Sequence, residues 1–250
     1  MGIQSRRNRN RSNKPKPLAP TSWDAVAAWY DGWVGEAGSD HHRELAIPTL
    51  LDLLTPAKGE NILDIGAGQG VLASYISATE AFYTGVDASP RLLDIARRRH
   101  GKHGRFLAGN ACNLSEVVGL RQGEFDAVTF LLSIQDMNPL EEVIASAAWA
   151  LKPGGRVALL LVHPAFRVPR GSGWGWDDGR KLRYRRVDSY LTPQAVPMKS
   201  LTNAAGRQTR PTRSFHRPMS AYINAMSSNG LLLERMLEIP AHRVHAPPNP

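Results

Sequence analysis

The chain has 250 residues, 42% of them apolar, enough for one domain with a sizeable core and an elaboration. Its one cysteine, Cys112, excludes an internal disulfide and fits a reducing compartment; no apolar run approaches membrane-spanning length, the longest obvious one being Val157–Val162. The net charge of +9 is unevenly placed: six basic and no acidic residues in 1–20, twelve basic and three acidic in 164–217, and thirteen basic against nineteen acidic elsewhere.

Residues 1–20 are arginine-rich and proline-bearing, so a disordered basic tail is expected ahead of one domain over 21–250. The tail lacks the apolar core of a secretory signal, and a cytoplasmic protein that does not enter the membrane is the expectation. Thr21 or Ser22 can cap a helix carrying Trp23, Val26, Ala27, Trp29 and Tyr30, broken by Gly32, Gly35 and Gly38. A second helix is predicted over His42–Leu54, with Pro48 as a kink, so that 21–56 form a helical cap.

Next comes Ile62-Leu63-Asp64-Ile65-Gly66-Ala67-Gly68-Gln69-Gly70, three apolar residues and a carboxylate running into glycines at alternate positions. The pattern predicts a buried strand 62–66, a tight turn and a helix 69–79. Strand Phe82–Val86 ends in Asp87; Ser89 and Pro90 open a helix to His100; strand Arg105–Ala108 leads to Gly109-Asn110-Ala111. Strand Phe125–Leu132 leads to Ser133–Met137, and Asn138 onward opens a helix stopped by Lys152-Pro153-Gly154-Gly155. Strand Arg156–Val162 then delivers His163. Strands alternating with helices imply an α/β fold, a doubly wound, mostly parallel sheet whose ligands sit beyond the strands' carboxyl ends. Residues 164–217, rich in Arg, Gly, Pro and aromatics, read as an inserted lid over that edge, with Arg167, Arg170 and the Trp174–Trp176 pair as one wall of an acceptor site. Ser220–Asn229 reads as a helix and Leu231–Leu237 as a sixth strand.

A glycine turn after a first strand also serves dinucleotides, but the spacing here is G-x-G-x-G, and Asp64 would repel a pyrophosphate. A carboxylate suits a ligand carrying an ammonium and a sulfonium, as S-adenosylmethionine (SAM) does. Asp87, 23 residues beyond Asp64, is placed to accept hydrogen bonds from both ribose hydroxyls.

Residues 62–70 resemble the first motif of the class I SAM-dependent methyltransferases. From about Trp23 to Pro240 the chain is similar to their small-molecule branch, which includes the ubiquinone/menaquinone-biosynthesis type. His163-Pro164-Ala165-Phe166-Arg167 and Phe215-His216-Arg217-Pro218 resemble an uncharacterised subgroup of that branch. The resemblance implies a Rossmann-like sheet of six or seven strands with the cap closing over SAM. No closing strand is visible after Pro240, and Gln208–Phe215 is the candidate to supply it. It further implies a cofactor site of Asp64, Gly66, Ala67, Gly68, Gly70, Asp87, Ala88 (adenine face), Asn110 (where related enzymes often carry Asp), Ala111 and Ser133, with Tyr30 facing the ligand.

Methyl transfer is an in-line displacement for which alignment supplies much of the catalysis, and a base matters only if the nucleophile must lose a proton. His163 is the first candidate base, His216 the second and Tyr30 the third. His41-His42 has no ligand spacing for a metal. After the fourth strand the Asp/Asn-Pro-Pro-aromatic signature of nucleobase-amine methylation is absent. The expectation is therefore methyl transfer to a small, aromatic or anionic acceptor; an RNA methyltransferase using the basic tail and lid, and a SAM-binding module without catalysis, are the alternatives.

Overall fold

The computed structural model describes residues 23–166, 171–198 and 212–240. Five parallel strands make the main sheet: β1 (Asn61–Ile65), β2 (Phe82–Asp87), β3 (Gly104–Ala108), β4 (Phe125–Leu131) and β5 (Leu151–Leu160), in the order β3-β2-β1-β4-β5. The two neighbours of β1 lie on opposite sides of it, Leu63 matching Thr84 of β2 and Val128 of β4. The inner strands are nearly unbroken apolar runs, as burial on both faces requires. Alternate residues then serve two cores. Ile62, Tyr83, Phe106 and Ala127 pack with α2 (Ile47–Leu54), α3 (Ala73–Ser77) and α4 (Pro90–His100); Leu63, Ile65, Val86 and Val128 pack with α5 (Leu140–Ala150) and α6 (Met219–Ser227).

Several boundaries differ from the sequence reading. The helix predicted over 69–79 shrinks to α3, because Gly70 at φ +83° and Glu80 at φ +62° cannot sit in a right-handed helix. The His42–Leu54 helix opens in a wide π turn over His42–Ala46, where Ile47 N donates to His42 O, and runs straight on into α2, so Pro48 lies inside a continuous helix just after the π turn. Lys152–Gly155 is not a loop after α5 but an irregularity within β5, whose pairing with β4 skips from Phe125↔Leu151 to Ala127↔Arg156.

Among the described residues the sheet has five strands, not the expected six or seven. Leu231–Leu237 is not a strand: it belongs to an extended stretch that makes no ladder. Side chains tie that stretch down instead, Arg235 Nη1 lying 3.6 Å from Asp52 of α2 and Glu238 Oε1 2.7 Å from His163 Nε2. Of the 208–215 candidate, residues 213–215 do not close the sheet but belong to β9 (Arg213–His216), which pairs with β8 (Gln194–Pro197) in a separate two-stranded antiparallel sheet; residues 208–211 lie outside the described residues. A lid hairpin joins β6 (Ser172–Asp177) to β7 (Leu182–Val187). The cap begins with α1 (Ala27–Val34). The proposed Thr21 or Ser22 cap, the basic tail, and lid residues Arg167 and Arg170 lie outside the described residues.

Candidate active site

The turn after β1 is left-handed at all three glycines, with φ of +78° at Gly66, +55° at Gly68 and +83° at Gly70. A Cβ on Gly66 would lie 2.6 Å from Ser133 Cβ and Met137 Cε, and one on Gly70 2.7 Å from Phe106. Those two glycines serve packing as well as conformation. A Cβ on Gly68 would meet only Tyr30 Cε1, at an ordinary contact distance of 3.8 Å, so Gly68 is the least crowded of the three and lies under the Tyr30 ring. Gly66 N and Ala67 N both donate to Val86 O, fastening the turn to β2, and Gly68 N donates to Asp87 Oδ2 at 2.8 Å.

Three carboxylates converge here. Asp64 is buried at the tip of β1; its Oδ2 accepts the Tyr83 hydroxyl at 2.7 Å, and its Oδ1 has no partner. Burial pushes its pKa up to about 7 against the Tyr83 hydrogen bond, and Asp87 pushes in the same direction. Asp87 is raised too, by burial, although Ser89 N and Gly68 N donate to it. Asp136, in the short turn after β4, is pushed up to about 7 by burial against a hydrogen bond from Ser214 of β9. The Tyr30 phenol is driven upward by burial first and then by Asp136, Asp87 and Asp64. No described ion pair includes any of the three carboxylates, and His42, in the same small pocket, is lowered to about 4 by burial and by His41. Negative groups gathered without a cation favour a cationic ligand. The orphan Asp64 Oδ1 beside the uncrowded Gly68 turn suits the ammonium of SAM, and Asp87 keeps lone pairs that suit ribose hydroxyls.

The cap is pinned over this pocket by charge. Arg99 of α4 forms a two-pronged pair with Asp31 of α1, one arm at 2.9 Å, and Asp24 Oδ1 accepts the Ser89 hydroxyl at 2.6 Å. Gln69 Nε2 donates to Gly35 O. Tyr30 consequently lines both the small pocket over the glycine turn and a cleft of about 2750 Å³ that opens toward β5 and the lid.

The other expected site residues fall as follows. Ala88 is half-buried behind Asp87, and Ala111 is half-buried beside an exposed Asn110 whose Oδ1 accepts Cys112 N at 3.0 Å. The Ser133 hydroxyl donates to Ile65 O at 2.7 Å, tying β4 to β1 directly under the turn. His163 lines the cleft, but its Nδ1 accepts Ala165 N at 3.2 Å, so Nε2 carries the proton and donates to Glu238. In this arrangement His163 has no free lone pair. His216 is buried, with Nε2 donating to Tyr190 O at 2.8 Å. Trp174 stacks under Arg183 and Arg185 of its own hairpin, 4.4 and 5.3 Å from the ring centre, and Trp176 Nε1 bonds Asp178. Neither indole lines the cleft; Phe166, Ser172 and Arg185 do.

Sequence reasoning passed over Tyr83, Asp136 and Ser214. The alternation of β2 puts Tyr83 on the face of Asp64, a signal present in the sequence; Asp136 and Ser214 meet only through the lid. Among the described residues no group of three or more His, Cys, Asp or Glu side chains could hold a metal ion, and no helix is long and apolar enough to cross a membrane.

Residues 62–155 match the family model described as a methyltransferase domain. The chain is 29% identical over 133 residues to the ubiquinone biosynthesis O-methyltransferase of Aromatoleum aromaticum, covering 53% of this chain and 57% of that one. It is 33% identical over 113 residues to the demethylmenaquinone methyltransferase of Tropheryma whipplei, covering 45% and 46%. The chain thus spans about half the length of the curated relatives it matches. In fold it is similar to a crystal structure of a SAM-dependent methyltransferase from Mesorhizobium loti, with a TM-score of 0.62 at 23% identity over 80% of this chain and 85% of that one.

Proposed function

We propose that the chain is a class I SAM-dependent methyltransferase that transfers a methyl group to a small, aromatic or anionic acceptor at O, N or C. The observation that carries this reading is Tyr30, which walls the small carboxylate-rich pocket on one side and the large cleft on the other. The named activities of the two quinone-biosynthesis relatives support a flat, oxygenated acceptor. In this reading residues 21–250 form one catalytic domain, with 21–56 as its cap and 164–217 as its lid, in the reducing cytoplasm that a lone cysteine suits.

Asp64 and the Gly66–Gly70 turn would hold the methionine end of SAM; Asp87 and Ala88 would hold the ribose and adenine. When bound, SAM supplies an electrophilic methyl. The chain's own task is to align the acceptor, exclude water and receive a proton. Asp136 is the better placed base, since its carboxyl titrates near neutrality and faces the cleft, whereas His163 must first release Glu238. Tyr30 is the gate between donor and acceptor, and buried His216 supports the lid.

A second reading, methyl transfer to RNA, draws on the exposed Arg180, Lys181, Arg183 and Arg186 of the β6–β7 hairpin. The test is incubation with methyl-labelled SAM and, separately, a small-molecule extract and total RNA. Label in the small-molecule arm is expected. Label in RNA alone would install the second reading, and SAM binding without transfer in either arm would leave a binding module.

A further inference from the structure

Arg217 follows β9 and is 93% shielded, being 7% exposed. Its Nη2 donates to Met137 O at 2.7 Å and Asn138 Oδ1 at 2.8 Å, and the Tyr222 phenol is a third neighbour. All three partners are neutral, and buried Nη1 has none. The more exposed Arg99, Arg105 and Arg156 each meet a carboxylate, whereas no ion pair among the described residues includes Arg217. A guanidinium does not shed its proton, so this charge persists, and a buried charge without a counter-charge is costly. Arg217 also lines the cleft that holds Asp136, yet Asp136 is bonded by Ser214 instead. Tyr222 feels both groups: burial raises its phenol, Arg217 opposes that rise and Asp136 adds to it.

We propose that Arg217 is the receptor for an anionic group, a carboxylate or a phosphate monoester, on the methyl acceptor. The inference rests on the methyltransferase reading and names the substrate class of that site. The guanidinium fork offers Nη1 to the anion while Nη2 stays fixed to Met137 O and the Asn138 side-chain oxygen. An acceptor with an anion at one end and a hydroxyl or amine at the other would then present its nucleophile to the compartment shared with Asp136 and Tyr30.

The test titrates full-length chain saturated with S-adenosylhomocysteine (SAH), the demethylated form of SAM, with 4-hydroxybenzoate, phenyl phosphate and neutral phenol by calorimetry. At least one anion should bind about tenfold or more tighter than phenol, the two arms deciding between carboxylate and phosphate. Arg217→Gln should erase the preference at unchanged SAH affinity, and Arg217→Lys should keep part of it. No preference in the wild type, or a preference surviving in Arg217→Gln, overturns the proposal and leaves Arg217 as a strap between α6 and the 137–138 loop. Should Arg217→Gln not fold, arginine Nε–H spectra of the wild type, assigned with Arg217→Lys, replace it; an Arg217 signal unmoved by either anion overturns the proposal equally. Failure to bind SAH would instead sink the methyltransferase reading, and the same anion titration on SAH-free chain would still decide Arg217.

Discussion

The proposed cofactor side takes Asp64, Gly66, Gly68, Gly70 and Asp87 from one short run of chain, whereas the proposed acceptor side takes Asp136, His163, Arg185, Ser214 and Arg217 from residues 136 to 217. The first is built by local backbone rules: a strand, a left-handed turn and a second strand tip. The second exists only because the lid brings β9, with Ser214, against the turn after β4 that carries Asp136. The two sides also differ in charge, since the β1–β2 tips gather carboxylates that no described cation pairs and the far side buries Arg217, which no carboxylate among the described residues pairs. A division of this kind lets the acceptor change by substitution in the lid while the cofactor seat, locally encoded, stays intact.

The largest effect should come from filling the turn. Gly66→Val places a β-branched residue at φ +78° with its Cβ 2.6 Å from Ser133 and Met137, a combined strain and overpacking cost of about 3 kcal/mol or more. SAH binding should disappear in calorimetry while circular dichroism still reports a folded chain with a lowered Tm; near-normal affinity would remove the turn from the cofactor seat. Asp87→Ala comes next, weakening SAH by about 1–3 kcal/mol and leaving the affinity of an analogue without ribose hydroxyls nearly unchanged. Equal losses for both ligands would show that Asp87 acts only by bracing Gly68 and Ser89.

Smaller, but more diagnostic of the charge contrast, is the pH dependence of the empty pocket. The folded pKa of Asp64 is about 7 against an ordinary 3.8, so the folded chain holds a proton that the unfolded chain has released. Its contribution to stability is therefore lost as pH rises from about 4 toward 7, and Asp136 acts in the same sense. An ammonium needs the ionised form, so SAH should bind severalfold tighter as pH rises through about 7 and then level off. Asp64→Asn should bind weakly and flatten that rise; an unaltered pH profile in the variant would assign the titration elsewhere. The smallest expected effect belongs to the cap. Arg99→Ala breaks a half-buried two-pronged pair with Asp31 and should lower stability by about 1 kcal/mol. SAH affinity should fall a few-fold with it, and an unchanged affinity would separate the cap from the pocket.

Period and turn chemistry alone carried the parallel sheet, the strand–glycine turn–helix unit, the tip position of Asp87 and the Ser89 cap, whose hydroxyl accepts Leu92 N. Each depends on residues near one another in sequence, so local sterics and hydrogen bonding suffice. Leu231–Leu237 marks the boundary of that logic. An apolar run favours burial, but a strand also needs a partner edge, and here the run makes no ladder and leaves Leu232 and Leu233 exposed, with Arg235 near Asp52 and Glu238 bonded to His163. The lid likewise reads as an insertion, yet only its folding shows Trp174 consumed by Arg183 and Arg185 while Arg185 itself reaches the cleft. The tautomer of His163, the burial that raises Asp136 and the missing counter-charge of Arg217 depend on atoms distant in the chain. Solvation and charge are properties of a site's whole surroundings, and those come into being only when the chain closes on itself.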